Sequence, residues 1–107
     1  MSGDGWQPLD GVDPAAATFP ARAKIDGQDV IVFQIGDGFR AVQRNCPHQQ
    51  ASFADAILMG DGRMVRCALH GYTFRFSDGK GVNCPGYKIK VYEIMRDADR
   101  LLARAVA

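Results

Sequence analysis

The chain has 107 residues, enough for one domain with its own core but too few for a second active site beside it, so we expect a single domain over residues 1–107. Its 13 basic and 12 acidic residues give a formal net charge of +1, which offers no electrostatic basis for binding nucleic acid or an anionic membrane surface. An odd number of cysteines, no N-terminal signal pattern and no run of the ~20 apolar residues that span a membrane together predict a cytoplasmic protein.

Taken in order, the chain consists of short apolar or alternating runs separated by glycine turns, which predicts an all-β fold. Asp26-Gly27 separates two such runs and favours a two-residue hairpin turn, because both residues tolerate positive φ. Asp13-Pro14 predicts a single helical turn over residues 13–17. The predicted strands are residues 6–9, 21–25, 30–35, 39–44, 57–59, 64–66, 72–76, 88–94 and 101–106. Strands at this spacing are typical of an antiparallel sandwich or barrel.

Two cysteine–histidine pairs follow two of these strands. The first is Cys46-Pro47-His48, and after 18 residues the second is Cys67-Ala68-Leu69-His70. The pairs use both histidines of the chain and two of its three cysteines. Side chains of these types at such short spacing, in two separate loops, predict one shared metal centre.

The ligand types leave two kinds of centre open. Structural zinc also accepts two thiolates and two imidazoles, although zinc motifs usually pair cysteine with cysteine and histidine with histidine. A two-iron cluster with mixed ligation needs one cysteine and one histidine from each loop, as found here. We favour the two-iron cluster and keep the structural zinc domain as an alternative.

The two motifs resemble the paired motif of the Rieske [2Fe-2S] proteins. The similarity covers about residues 40–95 and includes these further positions: Val65, Arg66, Gly71, Tyr72, Phe74, Phe76, Asp78, Gly79, Lys80 and Pro85. The resemblance implies an antiparallel β-sandwich of three small sheets, with a cluster-binding subregion at about residues 44–87 that forms a two-loop tip. It also implies that Cys46 and Cys67 hold the inner iron and that His48 and His70 hold the outer iron.

Within that family the sequence resembles the low-potential ferredoxins of bacterial oxygenase systems. High-potential members carry a disulfide between the two ligand loops, but Ala51 and Leu69 occupy its positions here. They also carry hydroxyl donors to the cluster sulfurs where this chain has Tyr72 and Phe74, and loss of such donors lowers the potential. The third cysteine, Cys84, has no counterpart, and we interpret it as a small apolar residue.

The predicted function is that of an electron carrier rather than an enzyme. Once the two histidines are used as ligands, none remains for the mononuclear iron site of an oxygenase, and no Gly-x-Gly-x-x-Gly turn indicates a reductase. The resemblance implies transient contacts with an NADH-dependent flavin reductase and with a terminal aromatic-ring hydroxylating oxygenase. The alternative within this fold is the small subunit of an NADH-dependent nitrite reductase. The predicted partner-contact residues are Gln49, Gln50, Leu69, Pro85 and Gly86.

Overall fold

The computed structural model describes residues 5–13, 15, 18–47, 52–68, 71–84 and 86–106. Its strands are β1 Gln7–Pro8, β2 Ala21–Ile25, β3 Gln28–Ile35, β4 Gly38–Gln43, β5 Ile57–Met59, β6 Met64–Arg66, β7 Thr73–Arg75, β8 Val91–Asp97 and β9 Arg100–Ala105. A single-turn 3₁₀ helix, Phe53–Asp55, precedes β5. Each predicted strand is therefore found, and the all-β prediction is confirmed.

The predicted boundaries differ from the observed ones mainly in β8, which begins at Val91 rather than at residue 88. Residues 88–90 instead bond to separate parts of the chain: Ile89 N–H donates to Gly79 at 2.8 Å, and Lys90 N–H donates to the side chain of Gln43 at 2.8 Å. The predicted helical turn over residues 13–17 lies partly outside the described residues. Asp13 accepts a hydrogen bond from Ala15 N–H at 2.9 Å, as expected of an N-cap.

The strands form two antiparallel sheets in the described part of the chain. The larger sheet has the order β1-β9-β8-β4-β3-β2, and the smaller one has the order β5-β6-β7. The resemblance implied three small sheets, but β4 pairs with β8 and joins the N-terminal and C-terminal strands into one. The edges of the larger sheet also meet, because Asp10 and Lys24 exchange two backbone hydrogen bonds of 2.8 Å. The larger sheet is therefore curled into a barrel-like shape with covered edges.

Two hydrophobic cores lie on opposite faces of the larger sheet, and β3 contributes to both. Val30 and Val32 belong to the core inside the curled sheet, whereas Ile31 and Phe33 belong to the core that faces the smaller sheet. This division follows from the alternation of side chains along a strand. The core between the sheets, which we call the first core, also contains the described cysteines.

Strand pairing places both ligand loops at one end of the molecule. Cys46 follows the end of β4 and Cys67 follows the end of β6. Ile57 at the start of β5 pairs with Arg66 at the end of β6, so the chain enters and leaves this hairpin at the same end. A bridge between Asn45 and Ser52 closes the base of the first loop. In the described residues, no helix is long and apolar enough to cross a membrane.

Candidate metal centre

The two predicted cysteine ligands are buried together in the first core. Cys46 is 1% exposed and Cys67 is 2% exposed, and neither forms a disulfide. The other two predicted ligands, His48 and His70, lie outside the described residues. In the described ranges, which contain neither histidine, no three His, Cys, Asp or Glu side chains form a group that could hold a metal ion.

The chemistry of the described donors fits an iron–sulfur cluster. The buried residues of the described chain include no polar or charged side chain, so no carboxylate accompanies the two thiols. Thiolate sulfur suits iron–sulfur clusters and zinc, whereas magnesium and calcium require oxygen ligands. The described half of the ligand set therefore fits the cysteine side of a mixed cluster.

Backbone hydrogen bonds close the second ligand loop. Cys67 N–H donates to the carbonyl of Tyr72 at 2.7 Å, and the carbonyl of Cys67 accepts from Gly71 N–H at 3.0 Å. Gly71 has φ +72°, and a Cβ at this position would lie 2.7 Å from a guanidinium nitrogen of Arg66. The positive φ favours glycine here, whereas the flexible end of the Arg66 side chain could move away from a Cβ. The loop therefore leaves Cys67 and returns to β7 through a tight, bonded turn.

A third loop, Gly81–Tyr87, lies against the exit of the second ligand loop. Gly81 N–H donates to the carbonyl of Tyr87 at 3.0 Å, which closes the third loop on itself. Val82 N–H donates to the carbonyl of Thr73 at 2.8 Å, and the rings of Tyr72 and Tyr87 lie with centroids 6.1 Å apart. The third loop contains the predicted proline position, Pro85, which is outside the described residues.

Two side-chain amides in this region were missed by the sequence analysis. Asn83 accepts from Thr73 N–H at 2.9 Å and donates to the carbonyl of Gly71 at 3.1 Å. Gln43 donates to the carbonyl of Asn45 at 2.7 Å and accepts from Lys90 N–H, as described above. All four of these partners are backbone groups, so no motif in the sequence identifies them. The one available signal for Asn83 was its position as a polar residue directly before Cys84 and Pro85.

The third cysteine has the surroundings of a small core residue. Cys84 is 5% exposed, belongs to the first core and has its sulfur 4.0 Å from the carbonyl oxygen of Thr73. A Cβ on Gly81 would lie 2.5 Å from the Cys84 sulfur. Burial raises the pKa of the Cys84 thiol, which favours its protonated form. The interpretation of Cys84 as a bystander to the cluster stays a prediction.

The positions that differ from high-potential members lie beside the ligand loops. Phe74 is fully buried, and its ring packs edge-on against Phe53 at a centroid distance of 6.0 Å. Of the predicted partner-contact residues, Gly86 is exposed with φ +92° and open space around the position of a Cβ. Gln49, Gln50, Leu69 and Pro85 lie outside the described residues, and the predicted contact surface remains a prediction.

Comparison with known proteins supports the same kind of centre. Residues 5–93 match the protein-family model described as the Rieske [2Fe-2S] domain, which confirms the predicted cofactor. The chain is 29% identical over 62 residues to ferredoxin CarAc of Metapseudomonas resinovorans, covering 58% of this chain and 56% of that ferredoxin. It spans 21%, 16% and 11% of the lengths of three other curated relatives.

Two solved structures show the same fold. The ferredoxin of carbazole 1,9a-dioxygenase from Nocardioides aromaticivorans IC177 superposes with a TM-score of 0.75 at 20% identity, covering 92% of this chain and 97% of that one. A putative nitrite reductase small subunit superposes equally well, with a TM-score of 0.75 at 22% identity, covering 92% of this chain and 96% of that one. The same fold therefore occurs in a dioxygenase ferredoxin and in a putative nitrite reductase small subunit.

Proposed function

The chain belongs to the Rieske [2Fe-2S] domain family, and from this premise we propose that it is a one-electron carrier. The observation that carries the proposal is the burial of Cys46 and Cys67 together at the end of the molecule where both ligand loops emerge. In our proposal, these two cysteines hold the inner iron and His48 and His70 hold the outer iron.

The proposed ligands determine how easily the site takes an electron. When bound, the cluster supplies one-electron redox chemistry. Two thiolates and two neutral imidazoles leave an oxidised cluster formally neutral, whereas four thiolates would leave it with two negative charges, so mixed ligation raises the potential. The apolar surroundings of the two cysteines exclude water from the inner side of the site. Phe74, which offers no hydroxyl donor, favours a potential at the low end of the Rieske range.

The proposed partners are an NADH-dependent flavin reductase, which supplies the electron, and a terminal aromatic-ring hydroxylating oxygenase, which receives it. Similarity to ferredoxin CarAc and to the ferredoxin of carbazole 1,9a-dioxygenase supports this assignment. The chain has two histidines, and both are used as cluster ligands in this proposal, so it carries electrons and is not the oxygenase. A cytoplasmic location is part of the proposal.

A second candidate function is that of the small subunit of an NADH-dependent nitrite reductase. The specific observation in its favour is the TM-score of 0.75 with a putative nitrite reductase small subunit. Both functions use the same cluster, so cluster chemistry does not separate them. Reduction of a purified ring-hydroxylating oxygenase by the reduced protein supports the first function. Failure there, together with reduction of a nitrite reductase large subunit, supports the second.

Metal and sulfide analysis tests the proposed centre. We expect reddish-brown protein with two irons and two acid-labile sulfides per chain. Cys46→Ser and Cys67→Ser are expected to lose the cluster, since each removes a thiolate from iron. Cys84→Ser is the matched control, because it changes a cysteine of the same core that we place outside the ligand set, and its cluster content should equal that of wild type. Colourless protein with stoichiometric zinc, or cluster loss in the control, contradicts the assignment.

A further inference from the structure

Side-chain amides connect both ligand loops to the segment that follows β7. Asn83 in the third loop binds the exit of the second ligand loop, and Gln43 at the end of β4 joins the entry of the first ligand loop to Lys90. Each amide uses both its donor and its acceptor. Residues 81–90 are thereby bonded to the backbone next to each of the two predicted cysteine–histidine pairs.

The two bonds of Asn83 reach neighbouring peptide groups shortly after a predicted ligand, one at the Gly71 carbonyl and the other at Thr73 N–H. Gly71, which directly follows His70 in the sequence, receives two hydrogen bonds at its carbonyl: one from Asn83 at 3.1 Å and one from the Thr73 hydroxyl at 3.2 Å. The acceptor oxygen of Asn83 holds Thr73 N–H at 2.9 Å. The Gly71 N–H is already bonded to the carbonyl of Cys67. The peptide groups on both sides of Gly71 are therefore fixed in orientation, one to Cys67 and the other to Asn83.

An amide suits this position better than other polar side chains. It presents a donor and an acceptor on one rigid plane, so it can bind a carbonyl and an N–H of the same loop at once. A carboxylate would bind Thr73 N–H but would place an acceptor against the Gly71 carbonyl. Without Asn83, the third loop would still be bonded to the backbone of Thr73 by Val82 N–H, which donates to the Thr73 carbonyl. Asn83 therefore contributes much of the attachment between these loops.

We propose that Asn83 is a positioning residue of the electron-transfer site: its amide locks the third loop onto the second ligand loop and thereby holds that loop's ligands in place and limits the access of water. The inference rests on the proposed electron-carrier function. Gln43 makes the comparable pair of bonds at the entry of the first ligand loop, to Asn45 and Lys90. Neither residue is a ligand in this assignment.

The test compares Asn83→Ala and Asn83→Asp with wild type and with Asp13→Ala. Asp13 makes one side-chain bond to backbone between β1 and β2, so its variant controls for the loss of a surface hydrogen bond away from the ligand loops. Loss of both hydrogen bonds of Asn83 should speed cluster loss by about tenfold at neutral pH. Asp13→Ala should lose its cluster at the wild-type rate.

The reduction potential provides the readout that a general loss of stability would not move. A loosened third loop admits water, which stabilises the more negative reduced state, so the potential of Asn83→Ala should be higher than that of wild type. Asp13→Ala should keep the wild-type potential. If Asn83→Ala has a wild-type or lower potential, or loses the cluster no faster than Asp13→Ala, the proposal is overturned.

Hydrogen exchange separates failure of this inference from failure of the proposed function. Thr73 N–H should exchange about tenfold faster in Asn83→Ala than in wild type but should remain protected in Asn83→Asp, which keeps the acceptor. Unchanged exchange in Asn83→Ala overturns the positioning role, whatever metal the protein holds. Zinc in the purified protein would instead defeat the electron-carrier function, and the exchange result would still decide whether Asn83 locks the loops.

Discussion

At the scale of single residues, Phe74 connects the hydrophobic core to the redox chemistry that we propose. Its ring is fully buried in the first core, which also contains Cys46 and Cys67. A hydrogen-bond donor to a cluster sulfur stabilises the reduced state, which carries one more negative charge than the oxidised state. Phenylalanine supplies packing without such a donor. We therefore expect a wild-type potential of about −150 mV, at the low end of the Rieske range.

Phe74→Tyr should raise the potential if its hydroxyl reaches a cluster sulfur, because it restores a hydroxyl at the position where high-potential members carry a donor. A hydrogen bond that is about 1.4 kcal/mol stronger in the reduced state raises the reduction potential by about 60 mV for a one-electron couple. Protein-film voltammetry of the loaded protein measures the shift. Phe76→Tyr is the control, because Phe76 belongs to the same core but packs against Phe33 at a centroid distance of 6.1 Å. Equal potentials in the two variants would show that the Phe74 position lacks this influence.

At the scale of elements, the connection from β7 to β8 organises the cluster end of the molecule. Gly79 N–H donates to the carbonyl of Arg75 at 2.8 Å, and the Gly79 carbonyl accepts from Ile89 N–H at 2.8 Å. Gly79 has φ +74°, and a Cβ there would overlap the carbonyl oxygen of Ile89. The start and the end of the segment that carries the third loop are therefore joined at a position that only glycine fits.

Gly79→Ala should lower the free energy of unfolding by roughly 3 kcal/mol. About 1–2 kcal/mol comes from the left-handed backbone and the remainder from the clash with Ile89. Urea denaturation of the cluster-loaded protein measures the change. Gly36→Ala is the matched control, since Gly36 has φ +59° but nothing within 4 Å of the Cβ position, and it should cost only about 1–2 kcal/mol. Equal losses in the two variants would argue against the close approach of Gly79 to Ile89.

At the scale of the whole molecule, the strands carry the two ligand loops at one end and leave several turns at the other. The β3–β4 turn lies at the far end of β4 from Cys46, since β4 runs from Gly38 to Gln43. A redox partner that must bind and leave quickly uses a small interface, below ~1,200 Å² of total buried area. We therefore expect the partner to dock at the end that carries the ligand loops, where the electron has the shortest path.

Leu69→Glu and Gln50→Lys should slow the reduction of the partner oxygenase, because they place charge in the predicted contact surface. Folding and the cluster spectrum should remain unchanged. Stopped-flow measurements at equal cluster content give the rates. Asp37→Lys, in the β3–β4 turn, is the control and should reduce the oxygenase at the wild-type rate. Slowing by Asp37→Lys with normal rates for the other two variants would place the docking surface at the opposite end.

The sequence by itself determined the strands and the kind of metal centre. Hairpins such as β2–β3 and β5–β6 depend on alternation and on turns such as Asp26-Gly27, which are local properties that any reader of the sequence can see. The cysteine–histidine spacing is also local, so it predicted the cofactor that the family match confirms. The 3₁₀ helix was missed because it spans only three residues, and its Ser52 cap has no apolar periodicity after it.

Only the tertiary structure decided how these pieces are joined. The pairing of β4 with β8 and the contact between Asp10 and Lys24 connect residues far apart in sequence, and no local pattern selects one such partner over another. The same holds for the amides of Asn83 and Gln43, whose partners are backbone groups brought near by folding. A backbone carbonyl or N–H is identical at almost every position, so the sequence names the residues that can bind it, and the fold decides which one does.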